Sequence, residues 1–247
     1  MQLLAALVER DVRIRRKRSW FGVVWPALAP LFLMVLYVFV FRSVFRVPIP
    51  RYSEFLFAGL LPWTFLAQAL GQSVTTISSE GDLVRRTPFH YELLPVATVV
   101  VMGLYFLITL FGFVVFLGVR GHLDVVVLPV VALPIVALFL LVSSIAMILS
   151  LIDVYNRDLR QLLGNLLTIW FFLVPVVYRA EMAPSAVRFL RSLDPMNMIV
   201  GQFRDILHYG QVSRPLHTVL MLTVCSVCFM ASRALFRHFA PSLPKDV

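Results

Sequence analysis

Charge is what this sequence of 247 residues has little of. Asp, Glu, Lys and Arg together make up 14 % of it, and six apolar runs contain none of the four. The runs cover residues 20–41, 55–79, 93–119, 125–152, 162–178 and 215–232. An α-helix rises about 1.5 Å per residue, so about 20 apolar residues cross a hydrocarbon core of about 30 Å. Each run is long enough, or nearly so, to span. A carrier driven by protons or ions usually keeps an ionisable group at membrane depth, because that group carries the coupling. These runs offer none, so the driving force is expected from outside the helices.

Two further scarcities narrow the chemistry. Cys225 and Cys228 are the only cysteines, and their i, i+3 spacing puts them on one face of the last run. With no other cysteine near and His217 about two turns away, they read as small packing residues and not as a redox or metal site. No Gly-x-x-x-x-Gly-Lys-Ser/Thr phosphate loop occurs, so the chain does not hydrolyse ATP by that route. Any ATP-driven step needs a partner that supplies the site.

What the sequence does have is hydrophobicity, at 60 %, and a net charge of +9. The longest stretch between runs, residues 179–214, is too short for an independent catalytic domain. The expected fold is therefore an all-α integral membrane protein with six transmembrane helices. The basic residues flank the runs and fix topology against anionic lipid; no nucleic-acid partner is expected.

Residues 1–19 are expected to form an amphipathic helix at the cytoplasmic interface. Leu3, Leu4, Leu7 and Val8 recur at helical spacing, and Arg10, Arg13, Arg15, Arg16, Lys17 and Arg18 follow against the lipid headgroups. The order is the reverse of a secretory signal, where charge precedes the apolar core. Residues 20–247 then form the membrane domain. With both termini in the cytoplasm, thirteen of the 22 basic residues lie inside, and the first helix has six basic residues before it and three after.

Three connections carry candidate chemistry. The first inner one, about residues 80–90, mixes charges with Leu83, Val84 and Phe89. It reads either as a topology-setting loop or as a short surface helix that docks in a groove of a soluble partner, with Val84 and Phe89 as anchors. In the second, Arg157 and Asp158 face different sides of a helix, and Asp158 favours the dipole of the fifth span. The last outer loop has two amphipathic stretches broken at Asp194-Pro195, expected as two short re-entrant helices at about residues 183–208. The aromatic residues form an interfacial belt in one reading. In the other, some of them, near the outer mouth, line a route for sugars.

Several of these segments together resemble the ABC-2 type permeases that export polysaccharides. In residues 18–30, Gly22, Trp25 and Pro30 hold the places of that family's Leu-Gly-x-x-Trp-x-x-x-x-Pro signature, with Phe21 for the leucine. Leu83-Val-Arg-Arg-Thr-Pro-Phe89 and Leu94-Pro95 resemble its coupling helix, with Pro88-Phe89 in inverted order. Arg157-Asp158-Leu159, Pro175-Val-Val-Tyr178, Asp194-Pro195, Arg204 and Gly210 match later motifs in the same order. The resemblance implies a non-enzymatic permease subunit in the cytoplasmic (inner) membrane. It would form a homodimer, bind two copies of an ABC ATPase that holds the ATP and magnesium, and export an undecaprenyl-type lipid-linked glycan such as an O-antigen or capsule. No cofactor or metal is expected in this chain.

Glu80, Asp82, Val84, Arg85, Arg86, Phe89, Arg157 and Asp158 are then the expected ATPase-coupling residues. Tyr37, Trp170, Phe171 and Tyr178 are the expected lining of a pathway between protomers. Export of a drug or small lipid on the same fold is the first alternative. The second is a membrane glycosyl or acyl transferase, for which Glu54, Asp124 and Glu181 are scattered over separate outer loops.

Overall fold

The structure, a computed structural model, describes residues 2–18, 32, 36, 39–40, 49–86, 89–179, 194–212, 215–241 and 243. The described residues contain helices and turns and no strand. Helix α1 is Gln2–Arg18, α2 Tyr52–Ser73, α3 Thr76–Ser79, α4 Gly81–Arg86 and α5 Leu93–Val119. A 3₁₀ turn at Leu128–Val131 leads into α6, Ala132–Tyr155. Helices α7 (Leu159–Leu173), α8 (Pro195–Leu207) and α9 (Pro215–Phe239) follow.

Four of these stretches are long and apolar enough to cross a membrane: Tyr52–Ser73, Leu93–Val119, Leu128–Tyr155 and Pro215–Phe239. This is a multi-pass membrane protein. Of the six expected spans, the first falls almost wholly outside the described residues, and the fifth, α7, is apolar but has only 15 residues. Helix α7 ends five residues before its apolar run does, because Val174 precedes Pro175 and takes an extended conformation (ψ 126°). Helix α9 instead continues beyond its charge-free run and takes in Arg233 and Arg237.

Helix α2 is the hub, packed by α5, α6, α7 and α8. Its buried aromatics make much of the core: Phe57 meets Phe113 edge-on at 4.7 Å, and Phe65 meets Phe106 and Phe139 at 5.1 Å each. Gly103 is required where α5 approaches α6, since a Cβ there would run into the Phe139 ring. Pro62, in the middle of α2, has no N–H to give the carbonyl four residues back, while Thr64 Oγ1 donates to the Leu61 carbonyl at 3.0 Å.

A second apolar cluster closes the end that holds α1. Leu7, Ile77, Val84, Leu94, Met147, Leu151 and Phe236 meet there, drawn from α1, α3, α4, α5, α6 and α9. We call this the basal end. The opposite, distal end holds α8, which buries Met196, Ile199, Val200, Phe203, Ile206 and Leu207. That i, i+3, i+4 spacing gives a short helix one apolar face, and burying it fixes α8 against α2 and α6.

Candidate functional site

At the basal end three carboxylates, Glu80, Glu92 and Asp153, are each held by arginine. Arg10 of α1 donates twice to Glu80, at 2.7 and 3.2 Å, in the link before α4. Asp153, fully buried near the end of α6, accepts from Arg160 at 2.6 and 2.8 Å and from Ser78 at 2.5 Å. Glu92, buried ahead of α5, accepts from Arg233 at 3.1 Å and from Arg237 at 3.2 and 3.3 Å. The middles of the four candidate spans are free of charge as expected, but their ends are not. Buried carboxylates survive there because each is held by an arginine that reaches solvent.

These pairs frame α4. Asp82 and Arg85 are exposed on it. Val84 was expected to face a partner, but only 1 % of it is exposed, because it completes the apolar cluster with Leu7 and Ile77. Phe89 is half-buried, edge-on to Tyr91 at 4.9 Å, and the Tyr91 hydroxyl donates to the Val84 carbonyl at 3.2 Å. Arg157 and Asp158 are exposed at the start of α7, with Asp158 at its N-cap. On α1, exposed Arg13 pairs with Glu9 one turn earlier at 2.6 Å. The side chains of Arg15, Arg16, Lys17, Arg18 and Arg86 lie outside the described residues, as does Tyr37.

The distal end is organised by Arg204. This α8 side chain is buried, donates to the Val176 carbonyl at 2.5 Å and the Phe55 carbonyl at 3.4 Å, and lies 3.8 Å from the Phe55 ring centroid. Gly59 leaves room for it: a Cβ there would sit 2.8 Å from a terminal guanidinium nitrogen. Asp194 caps α8 by accepting from the Met196 N–H at 2.9 Å, and its other oxygen accepts from Trp170 Nε1 at 2.9 Å. Burial pushes the Asp194 carboxyl above the usual range, against the pull of those hydrogen bonds.

His208, at the end of α8, is pushed down to about 4 by burial and by the charges of Arg51, Arg204 and Arg179, so it is neutral near pH 7. Arg51 donates to its carbonyl at 2.8 Å. Glu54 and His122, far apart in sequence, meet at 2.7 Å, and Arg51 lies 3.4 Å from Glu54. Asp124 instead accepts from the Val126 N–H within its own loop, and Glu181 lies outside the described residues.

Helix α7 shows three faces. Leu163 and Phe171 are buried, Phe171 against Trp63 at 5.5 Å. The exposed surface divides into an apolar stripe (Leu162, Leu166, Ile169) and a polar one (Gln161, Asn165, Thr168) that continues to Phe172. The expected pathway residue Phe171 therefore points into the protein's own core, and the exposed ring is its neighbour Phe172. Trp170 is half-buried, edge-on to Trp63 at 5.7 Å; Tyr178, also half-buried, donates to the Phe172 carbonyl at 2.7 Å. The polar i, i+4, i+7 stripe was present in the sequence but masked by the apolar residues between its members.

Residues 2–208 match the family described as ABC-2 type transporter. The chain is similar to an O-antigen export system permease protein, RfbA, of Myxococcus xanthus, with 31 % identity over 98 % of this chain and 95 % of that protein. It is also similar to RfbA of Klebsiella pneumoniae, with 28 % identity over 90 % of this chain and 88 % of the relative.

Proposed function

The chain belongs to the ABC-2 type transporter family, and we propose that it is the permease through which an ATP-driven exporter moves a lipid-linked polysaccharide across the cytoplasmic membrane. Membership makes it a non-catalytic membrane subunit, with ATP hydrolysis in an ABC ATPase partner. The observation that carries the cargo is the match, over nearly the full length of both chains, to a relative named for O-antigen export.

In this reading the protein has six spans and both termini in the cytoplasm, so the basal end faces the ATPase. Asp82, Arg85, Arg86 and Phe89 meet the partner, with Arg157 and Asp158 beside them. Glu80 holds α4 to α1, and Val84 anchors it from within. Arg13, Arg15, Arg16, Lys17 and Arg18 rest on anionic headgroups. Two protomers pair, each with its own ATPase, around a corridor lined by the first span and α7.

The polar stripe of α7 supports that placement. On a lipid-facing surface the Gln161 and Asn165 amides would have no polar partner in hydrocarbon, while the Thr168 hydroxyl donates to the Gly164 carbonyl at 2.9 Å; a corridor for sugars uses the amides and the free lone pairs of Thr168. Phe172, Tyr178 and Tyr37 supply stacking faces, and Trp170 and Phe171 brace them. Helix α8 and a companion re-entrant helix cover the outer mouth. Export of a drug or small lipid would fit the same fold, but it gives the hydroxyl and amide stripe no purpose.

The test is complementation. Cells that make an undecaprenyl-linked O-antigen but lack its permease should display the glycan at the surface when given this chain with its cognate ATPase. Glycan retained in the cytoplasm, with both subunits present in the membrane, would rule the reading out.

A further inference from the structure

A cavity of about 470 Å³ opens at the basal end between α1, the last turn of α2, α3 and the first turns of α5. That size is in the range of small-ligand sites. It lies away from the polar stripe of α7 and has a different lining. Asp11, Gln72, Thr75, Ser79, Glu80 and Thr98 face it, with Leu7, Leu94 and Ala97 as its apolar floor.

The lining selects the chemistry of a ligand. Arg10 is already engaged by both carboxylate oxygens of Glu80, and no other cationic side chain stands among the described residues that line the cavity. A phosphate or other anion is therefore disfavoured. An acyl chain is disfavoured by the number of hydroxyl, amide and carboxylate groups. Ser79 and Thr98 give their protons to helix carbonyls, at 3.3 and 3.5 Å, so their oxygens present lone pairs as acceptors. The Gln72 amide donates to the Met102 thioether at 3.2 Å, a weak acceptor that satisfies little of what the amide can do. A neutral group with many hydroxyls, each both donor and acceptor, answers this set.

We propose that this cavity binds one or two neutral sugar units presented at the inner membrane surface, as the headgroup of a sugar-bearing lipid. That the sugar belongs to the exported glycan rests on the function proposed above; that the cavity takes a sugar rests on its lining alone. Glu80 forms part of the wall and directly precedes α4. A bound sugar therefore sits one residue from the helix that faces the ATPase.

Gly71 provides a clean probe. It lies in α2 on the cavity wall, and a Cβ built on it meets nothing within 4 Å. A side chain at Gly71 thus has open space for its first carbon, so Gly71→Leu adds bulk at the cavity wall, and leucine favours the helix over glycine.

The experiment uses the chain with its ATPase in vesicles of phosphatidylethanolamine and phosphatidylglycerol, and a dodecyl maltoside carrying a diazirine on its sugar. Labelling should map to residues 7–11 and 71–98, be competed by plain dodecyl maltoside, and fall at least tenfold in Gly71→Leu. Gln72→Ala, which removes the amide without filling the cavity, should lower it several-fold; monodisperse elution checks that both variants fold. Labelling that maps elsewhere, or that Gly71→Leu leaves unchanged, overturns the proposal. Equal labelling of the same peptides by a diazirine on phosphatidylethanolamine also overturns it, and makes the cavity a phospholipid headgroup site. If the wild-type chain restores surface glycan but the probe ignores the cavity, only this inference falls. If the probe labels the cavity but no glycan is exported, the proposed function falls and the sugar site stands.

Discussion

Asp153 and Arg160, seven residues apart, close on each other through two hydrogen bonds across the turn between α6 and α7, and Ser78 of α3 completes the triangle. Three helices meet at one carboxylate that has no exposure of its own.

Asp153→Ala should therefore lower stability by about 2 kcal/mol, the cost of stranding an arginine and a hydroxyl, moderated because Arg160 reaches water. Thermal unfolding in detergent reads this. The double variant Asp153→Ala/Arg160→Ala should lose about 1 kcal/mol less than the sum of the single losses. Strict additivity would show that the pair contributes nothing as a pair.

A similar argument applies to Arg204 at the distal end. Lysine keeps the charge but cannot reach two carbonyls and stack on Phe55 at once. Arg204→Lys should thus cost about 2 kcal/mol. Gly59→Ala should be destabilising in the wild type, where it pushes the guanidinium, and close to neutral in Arg204→Ala. Equal effects of Gly59→Ala in both backgrounds would mean that the close approach is unimportant.

Acid should act through His208. Its pKa falls from an ordinary 6.5 to about 4 on folding, so between those values the unfolded chain binds more protons than the folded one. Stability is then lost as pH falls from about 6.5 towards 4, by about 2 kcal/mol between pH 7 and 5. Asp194 works in the opposite sense: its raised pKa makes the folded state the better proton acceptor, and acid relieves that cost. His208→Gln should flatten the fall between pH 7 and 5, and Asp194→Asn should not. A wild-type unfolding midpoint independent of pH over that window would contradict the assignment.

Around α4, stability and docking should separate. Val84→Ala should cost about 1.5 kcal/mol of stability, because it removes two buried methyl groups, and spare ATPase binding once folded. Phe89→Ala and Arg85→Glu should do the reverse, weakening co-purification of the ATPase about tenfold or more while moving the unfolding midpoint little. Normal ATPase recovery with both docking variants would leave α4 as a topology element.

Much of the helical plan was legible because membrane helices advertise themselves by length and lack of charge. The run 93–119 became α5 with the same ends, and the second of the two helices expected in the last loop starts at Pro195 with Asp194 extended before it, while the first falls outside the described residues. The ends of other helices were less legible. Hydropathy stops at the first charge, whereas α9 carries on because Arg233 and Arg237 reach back to Glu92, more than a hundred residues earlier in the chain. Long-range pairs of this kind leave no periodic trace. Arg204 could be marked by resemblance, but its burial against Phe55 and Val176 depends on how α8 folds back. The inward turn of Phe171, and the outward turn of Phe172, depended on which face of α7 met Trp63.

Pro62 gives helix α2 a joint near its midpoint. About ten residues extend on each side, arms of roughly 15 Å at 1.5 Å per residue. The distal arm is clamped to α8 through Arg204 and the Phe55 carbonyl, and the basal arm ends at Gly71 and Gln72, beside α1. A missing backbone bond concentrates bending at one place, so a tilt of about 10° there displaces an arm's tip by about 2.6 Å. The end of α2 beside α1 and the end clamped to α8 are thus joined through the one turn of the helix in which proline leaves a backbone carbonyl without its N–H partner.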